Sequence, residues 1–153
     1  NSYADKKGFE AVSNNNDGAP VGRELEFADL LRFMKAAKIR NTVWLTADVH
    51  YTAAHYYDPD KAVFQDFEPF WEFVSGPIHA GTYGPEVMDR TFGPEARYVK
   101  APAADQEQGV GPAAGLQFFG HVAIAADTRV MTVTLRDTAD TALWSIDLPP
   151  QMG

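Results

Sequence analysis

Apolar residues at Phe27, Leu30, Leu31 and Met34 recur at spacings of three and four. That period puts them on one face and predicts an amphipathic helix over residues 23–38. Glu24 and Glu26 near its start suit the positive end of the helix dipole. The next run, "TVWLTA" at residues 42–47, is apolar without alternation, which predicts a strand buried on both faces. A helix, a short connection and a buried strand make half of a βαβ unit, whose first strand would precede residue 1. Farther on, "LQFFGHVAIAA", "RVMTVTLRD" and "ALWSIDLPP" alternate with period two between the turn signals "ADT" and "DTADT". They predict an antiparallel meander closing an α/β sheet, with Met131, Val133 and Leu135 on one face and Thr132 and Thr134 on the other.

The stretches between these elements carry weaker patterns. Residues 1–22, with "SNNNDGAP", are turn-rich and read as irregular surface chain. "FWEFVSG" predicts a short strand, and its aromatics Phe70, Trp71 and Phe73 are expected in the core. The Gly- and Pro-rich sequence around it reads as ordered loop, with one helical turn at residues 86–90. Residues 101–115 are poor in apolar bulk and read as an exposed, mobile loop. No internal repeat is evident.

Composition narrows the function classes. With 153 residues and 45% hydrophobic content the chain fits one domain with a real core. A net charge of −8 argues against nucleic acid as a partner, because phosphate backbones are bound by clustered Lys and Arg. The sequence has no apolar run of membrane-spanning length and no signal-type core after a basic start. The absence of cysteine excludes disulfides and thiolate zinc sites, and leaves the compartment open. The chain starts at Asn1 without an initiator Met, as a mature or nicked product would.

The candidate chemistry lies where the first apolar run stops, at Asp48-Val49-His50. In α/β sheets sites gather at the carboxyl ends of strands. In extended chain, residues two apart point the same way, so Asp48 and His50 can reach one point. A carboxylate beside an imidazole suits iron, zinc, manganese or, through the oxygen, calcium. The bland alternative is a strand-end Asp that caps a turn. His55 lies five residues past His50 and would face the other way in extended chain. It orients or packs, with contact to a bound ligand as the alternative. His79 sits in the loop "SGPIHAGTYGP", residues 75–85, where Gly76, Gly81 and Gly84 permit close backbone approach and Pro77 and Pro85 stiffen the path. Such a loop either lines the site, bringing His79 or an amide to substrate, or serves as a rigid connector. His121, inside the meander, reads as a satisfied sheet histidine.

Several segments in order carry a family resemblance. "VWLTADVHYTAAHYYDP", "FEPFWEFVSGPIHAGTYGP", "RTFGP" and "GLQFFGHVAI" resemble the C-terminal part of alkaline phosphatase D-like (PhoD-like) metallophosphatases. "GAPVGRELEFADLLRF" resembles the helix preceding that family's "GDVH" strand. Ala47 stands where the family usually has Gly, and Tyr83 where Phe is commoner. The resemblance implies a calcineurin-like fold, a β-sandwich flanked by helices, with a multinuclear centre of iron and calcium that hydrolyses phosphomonoesters and phosphodiesters. Only the family's last metal motif maps onto this chain, giving Asp48 and His50 as candidate metal ligands, with Asp48 alternatively holding a ligand or water in place, and leaving His55 and His79 as candidate catalytic groups. The earlier ligands have no counterpart, so the chain is expected to be the C-terminal portion of one metallophosphatase domain. An N-terminal fragment or subunit would be its partner, and secretion or the periplasm its expected location. A phospholipase D-type or glycerophosphodiester hydrolase acting on a lipid headgroup is the narrower alternative. A non-catalytic β-rich binding or lid module is the alternative of another class.

Overall fold

The computed structural model describes residues 13–85 and 87–151. It is a mixed α+β structure with one α-helix and two sheets among the described residues. The helix, α1, spans Glu24–Ala36. The first sheet holds β1 (Val43–Thr46), β2 (Thr52–Tyr57), β3 (Phe70–Val74) and β4 (Pro94–Lys100), in the order β1-β3-β2-β4. The second holds β5 (Phe118–Ile124), β6 (Met131–Asp137) and β7 (Ala142–Leu148), in the order β5-β6-β7.

The chain divides into two compact units. One comprises Asn1–Trp44, His55–Glu72 and Glu86–Ala96; the other comprises Leu45–Ala54, Phe73–Pro85 and Arg97–Gly153. The core of the first unit is aromatic. Tyr57, Phe64, Phe67, Phe70 and Phe92 are buried with Ala28 and Leu31 of α1, and Phe27 and Trp44 pack against them. Phe27 meets Trp44, Phe70 and Phe92 edge-on at 5.6, 6.4 and 4.8 Å, the arrangement that ring quadrupoles favour.

Helix α1 starts on a buried acid. Glu24 is fully buried, and its two carboxylate oxygens accept the backbone N–H groups of Asn14 (2.6 Å) and Val21 (3.0 Å). It ends with the Ile39 N–H on the Met34 carbonyl (2.9 Å) while Lys38 takes the left-handed conformation, φ 56°. That is a Schellman termination with Lys at the position Gly usually fills. The helix face is narrower than its periodicity predicts. Ala28 and Leu31 are buried, whereas Leu30 is 43% exposed.

Two expectations about strands are corrected. The run at residues 42–47 forms β1, which lies at the edge of its sheet with Leu45 65% exposed, and is not buried on both faces. The doubly covered strand is the next one, β2, an interior strand with five of its six residues buried. Its Ala53 and Ala54 are small enough for close packing on either side, and burial here follows sheet position and not hydrophobicity. β4 was read as loop and is a strand. No helical turn forms over residues 87–90, and Glu86 of that expected turn lies outside the described residues.

The meander forms, but as a sheet of its own. Gly120, Val122 and Ile124 pair with Leu135, Val133 and Met131, and these with Trp144, Ile146 and Leu148, so one face is apolar as the alternation predicts. On the other face Thr134 and Ser145 share a hydrogen bond of 3.0 Å. Phe73 and Tyr98 pack against Trp144 at 6.0 and 6.2 Å. His121 is exposed on β5, opposite Thr134. Of the turn-rich first 22 residues, residues 1–12 lie outside the described ones, and residues 13–22 are irregular as expected. Asp89 holds part of that stretch by accepting the N–H groups of Asn16 (2.9 Å) and Asp17 (3.1 Å).

Candidate metal site at the end of the first strand

The chain leaves β1 in two tight turns and not in extended conformation. The Val49 N–H bonds the Ala47 carbonyl at 3.0 Å, and the Tyr51 N–H bonds the Val49 carbonyl at 2.7 Å. Each closes a three-residue γ-turn, the first centred on Asp48 and the second on His50. Asp48 has φ 78°, the rare positive-φ form of that turn. The strain is of order 1 kcal/mol, and Asp is among the few non-glycine residues that tolerate such backbone. The two candidate ligands therefore sit at the apices of successive turns, which replaces the extended-chain geometry expected from their spacing. The Asp48 side chain is exposed and His50 is half-buried.

The Gly/Pro loop holds His50 at three points. The His50 Nδ1 lies 2.6 Å from the Gly81 carbonyl oxygen. The Tyr83 N–H donates to the His50 carbonyl at 3.0 Å, and the two rings stand 5.7 Å apart at 52°. The hydrogen bond to Gly81 decides the chemistry of the ring. A carbonyl oxygen only accepts, so Nδ1 carries a proton, and in the neutral ring Nε2 holds the lone pair. An imidazole oriented through Nδ1 by a backbone carbonyl, with a bare Nε2 and a carboxylate two residues away, is a donor set that fits a divalent or trivalent cation. Among the described residues no group of three or more His, Cys, Asp or Glu side chains is placed to hold a metal ion.

The loop is itself fixed from behind. Thr82 and Val110 form an isolated antiparallel bridge, and the Gly109 N–H donates to the Thr82 carbonyl at 2.9 Å. A Cβ at Gly81 would stand 2.8 Å from the Gly109 carbonyl oxygen, so only glycine allows this approach. Residues 101–115 are mostly exposed as expected, yet this bridge and a 3-10 turn at Pro112–Ala114 give them defined structure. His79 is exposed on the loop.

His55 occupies another environment, within the first unit. It is fully buried on β2, with Nδ1 3.2 Å from the Glu72 carboxylate, which also accepts the Tyr57 hydroxyl at 2.8 Å. Burial works to raise the Glu72 carboxyl, but the hydrogen bonds from His55 and Tyr57 outweigh it and hold the group well below the usual carboxylate range. Glu72 was read past in "FWEFV". An acid on a strand otherwise built of large apolar residues was the available signal, since a buried carboxylate must have a partner. Gly81 is expected to permit close backbone approach, as it does to Gly109, but nothing in local spacing ties it or Tyr83 to His50.

The PhoD-like phosphatase family model matches residues 2–135, a span that includes the γ-turns, His55 and the Gly/Pro loop. The chain belongs to the PhoD-like phosphatase family. No curated protein and no solved structure gives a significant match. As a PhoD-like phosphatase the chain is part of a family of phosphate-ester hydrolases, and no described helix is long and apolar enough to cross a membrane.

Proposed function

We propose that this chain supplies Asp48 and His50 as metal ligands to a metal-dependent hydrolase of phosphomonoesters or phosphodiesters. The observation that carries the reading is the Nδ1 hydrogen bond of His50 to the Gly81 carbonyl, which supports Nε2 as the ligating atom. In the proposed site Asp48 adds a carboxylate oxygen at the apex of the preceding turn, and the Gly/Pro loop keeps the His50 ring in place. Iron with calcium is the metal set the family resemblance supports, and zinc or manganese suits the same donors. Bound there, such ions neutralise phosphate charge and lower the pKa of a water that becomes the nucleophile.

His79 is exposed on the loop that holds His50, which supports a role in meeting the phosphate or leaving group. The burial of His55 supports a role in orientation through Glu72 in place of substrate contact. Two donors fall short of the four or more a metal ion takes, so the rest of the set comes from elsewhere in the enzyme. The chain then forms the C-terminal portion of one calcineurin-like metallophosphatase domain. The open edge of β1, with Leu45 exposed, supports pairing with an N-terminal polypeptide. A secreted or periplasmic location accompanies this reading.

The test is the full-length protein assayed with p-nitrophenyl phosphate and bis-p-nitrophenyl phosphate, before and after chelation. Activity on either ester that chelation abolishes and metal restores is the expected result. Turnover indifferent to chelation would overturn the proposal. A choline or ethanolamine diester in the same assay separates the lipid-headgroup alternative from the general one.

A further inference from the structure

Tyr83 is the most exposed of the large aromatics described in its unit. Phe73 and Phe118 are almost wholly buried and Phe119 is 37% exposed, whereas Tyr83 is 51% exposed. Its exposure does not come from a loose backbone. The Tyr83 N–H is bonded to the His50 carbonyl, and its neighbours are pinned on both sides, Thr82 by the bridge to Val110 and Gly84 by its N–H on the Gln108 side-chain oxygen at 2.7 Å. The phenol end is wedged as well. A Cβ at Gly109, which has φ 74°, would stand 2.9 Å from the Tyr83 hydroxyl, so the ring's far end rests against backbone that only glycine leaves open. The ring centroid stands 5.7 Å from that of the His50 imidazole, and about half of the residue is open to solvent.

An aromatic held at both ends, half in water and beside a candidate metal ligand has lost its freedom before any ligand arrives. Contacts to such a surface carry little further ordering cost. From this placement we propose that Tyr83 determines specificity, its exposed ring forming a stacking surface for the organic group of the phosphate ester. The inference rests on the reading above, in which His50 marks the metal end of the site. The ligand class is an ester whose leaving group has a flat or apolar body, an aryl group above all. The phenolic oxygen is turned to Gly109, so the ring and not the hydroxyl carries the contact.

The experiment compares the full-length wild-type protein, Tyr83→Phe and Tyr83→Leu on phenyl phosphate and methyl phosphate. Binding of phenylphosphonate and methylphosphonate is measured in parallel by calorimetry. The preference for phenyl over methyl falls about three- to tenfold in Tyr83→Leu, the size of an aromatic contact. The change lies in KM and in phosphonate affinity, and Tyr83→Phe keeps the preference. An unchanged phenyl-to-methyl ratio in Tyr83→Leu overturns the inference, as does a loss in Tyr83→Phe equal to that in Tyr83→Leu. If the wild type hydrolyses neither monoester, the monoesterase reading fails, and the phosphonate ratio still decides the role of Tyr83.

Discussion

Two histidines five positions apart use the same ring nitrogen for opposite ends. His50 points Nδ1 at a backbone carbonyl, is half-buried, and leaves Nε2 free to bind a cation. His55 points Nδ1 at a carboxylate inside a fully buried cluster with Glu72 and Tyr57. A neutral acceptor fixes a tautomer without drawing the ring inward. An ionised partner in the interior forms a buried hydrogen-bonded pair, and removing one member breaks a bond made away from water. The first arrangement favours binding, the second stability, and substitutions should separate them.

The largest expected effect is on the binding side. His50→Ala in the full-length enzyme should lower kcat/KM by at least about a hundredfold while changing the melting temperature little, because the ring is half-exposed. A comparable activity loss in a protein that no longer melts cooperatively would erase the distinction between the two histidines.

The counterpart on the stability side is Glu72→Ala, which strands His55 and Tyr57 without their shared acceptor. It should cost about 3–5 kcal/mol, read by denaturant unfolding. The same group gives a pH signature. Its carboxyl is held lower in the folded chain than unfolded, so its contribution is present above pH 4.5 and lost as pH falls toward 2. The melting temperature should drop through that window in the wild type and less steeply in Glu72→Gln. Parallel acid profiles would contradict the buried pair.

A smaller effect is expected from the loop behind His50. In Gly81→Ala the new methyl meets the Gly109 carbonyl and shifts the carbonyl that holds Nδ1. Metal affinity should fall about tenfold, the usual scale for loss of an orienting partner, with the fold retained. The smallest is His79→Ala, which should raise KM several-fold without loss of metal, as an exposed loop histidine near substrate would. Unchanged KM would leave the loop a support for His50 alone.

Periodicity made α1 and the meander legible, because the apolar residues each does bury, Ala28 and Leu31 in one and Val133 and Leu135 in the other, share a face. It failed where sheet position overrode composition. The most apolar run, β1, lies at an edge, and the Thr-Ala-Ala-His strand β2 lies inside. β4 was missed because Pro94, Glu95, Arg97 and Lys100 break the apolar pattern along its length. The candidate site was legible as a pair of residue types, Asp48 and His50, but not as geometry. Successive γ-turns and a hydrogen bond to a residue 31 positions away leave no trace in local spacing. Tyr83 was visible only as a departure from the family's commoner Phe.

Metal stoichiometry tests the central claim most directly. Metal-loaded, full-length wild-type protein, Asp48→Asn and His50→Ala would be passed over a desalting column, and bound ions counted per chain by mass spectrometry. The account predicts that His50→Ala retains at least one equivalent fewer than the wild type, and that Asp48→Asn binds more weakly, with both variants folded. Full metal occupancy with undiminished turnover in His50→Ala would contradict it.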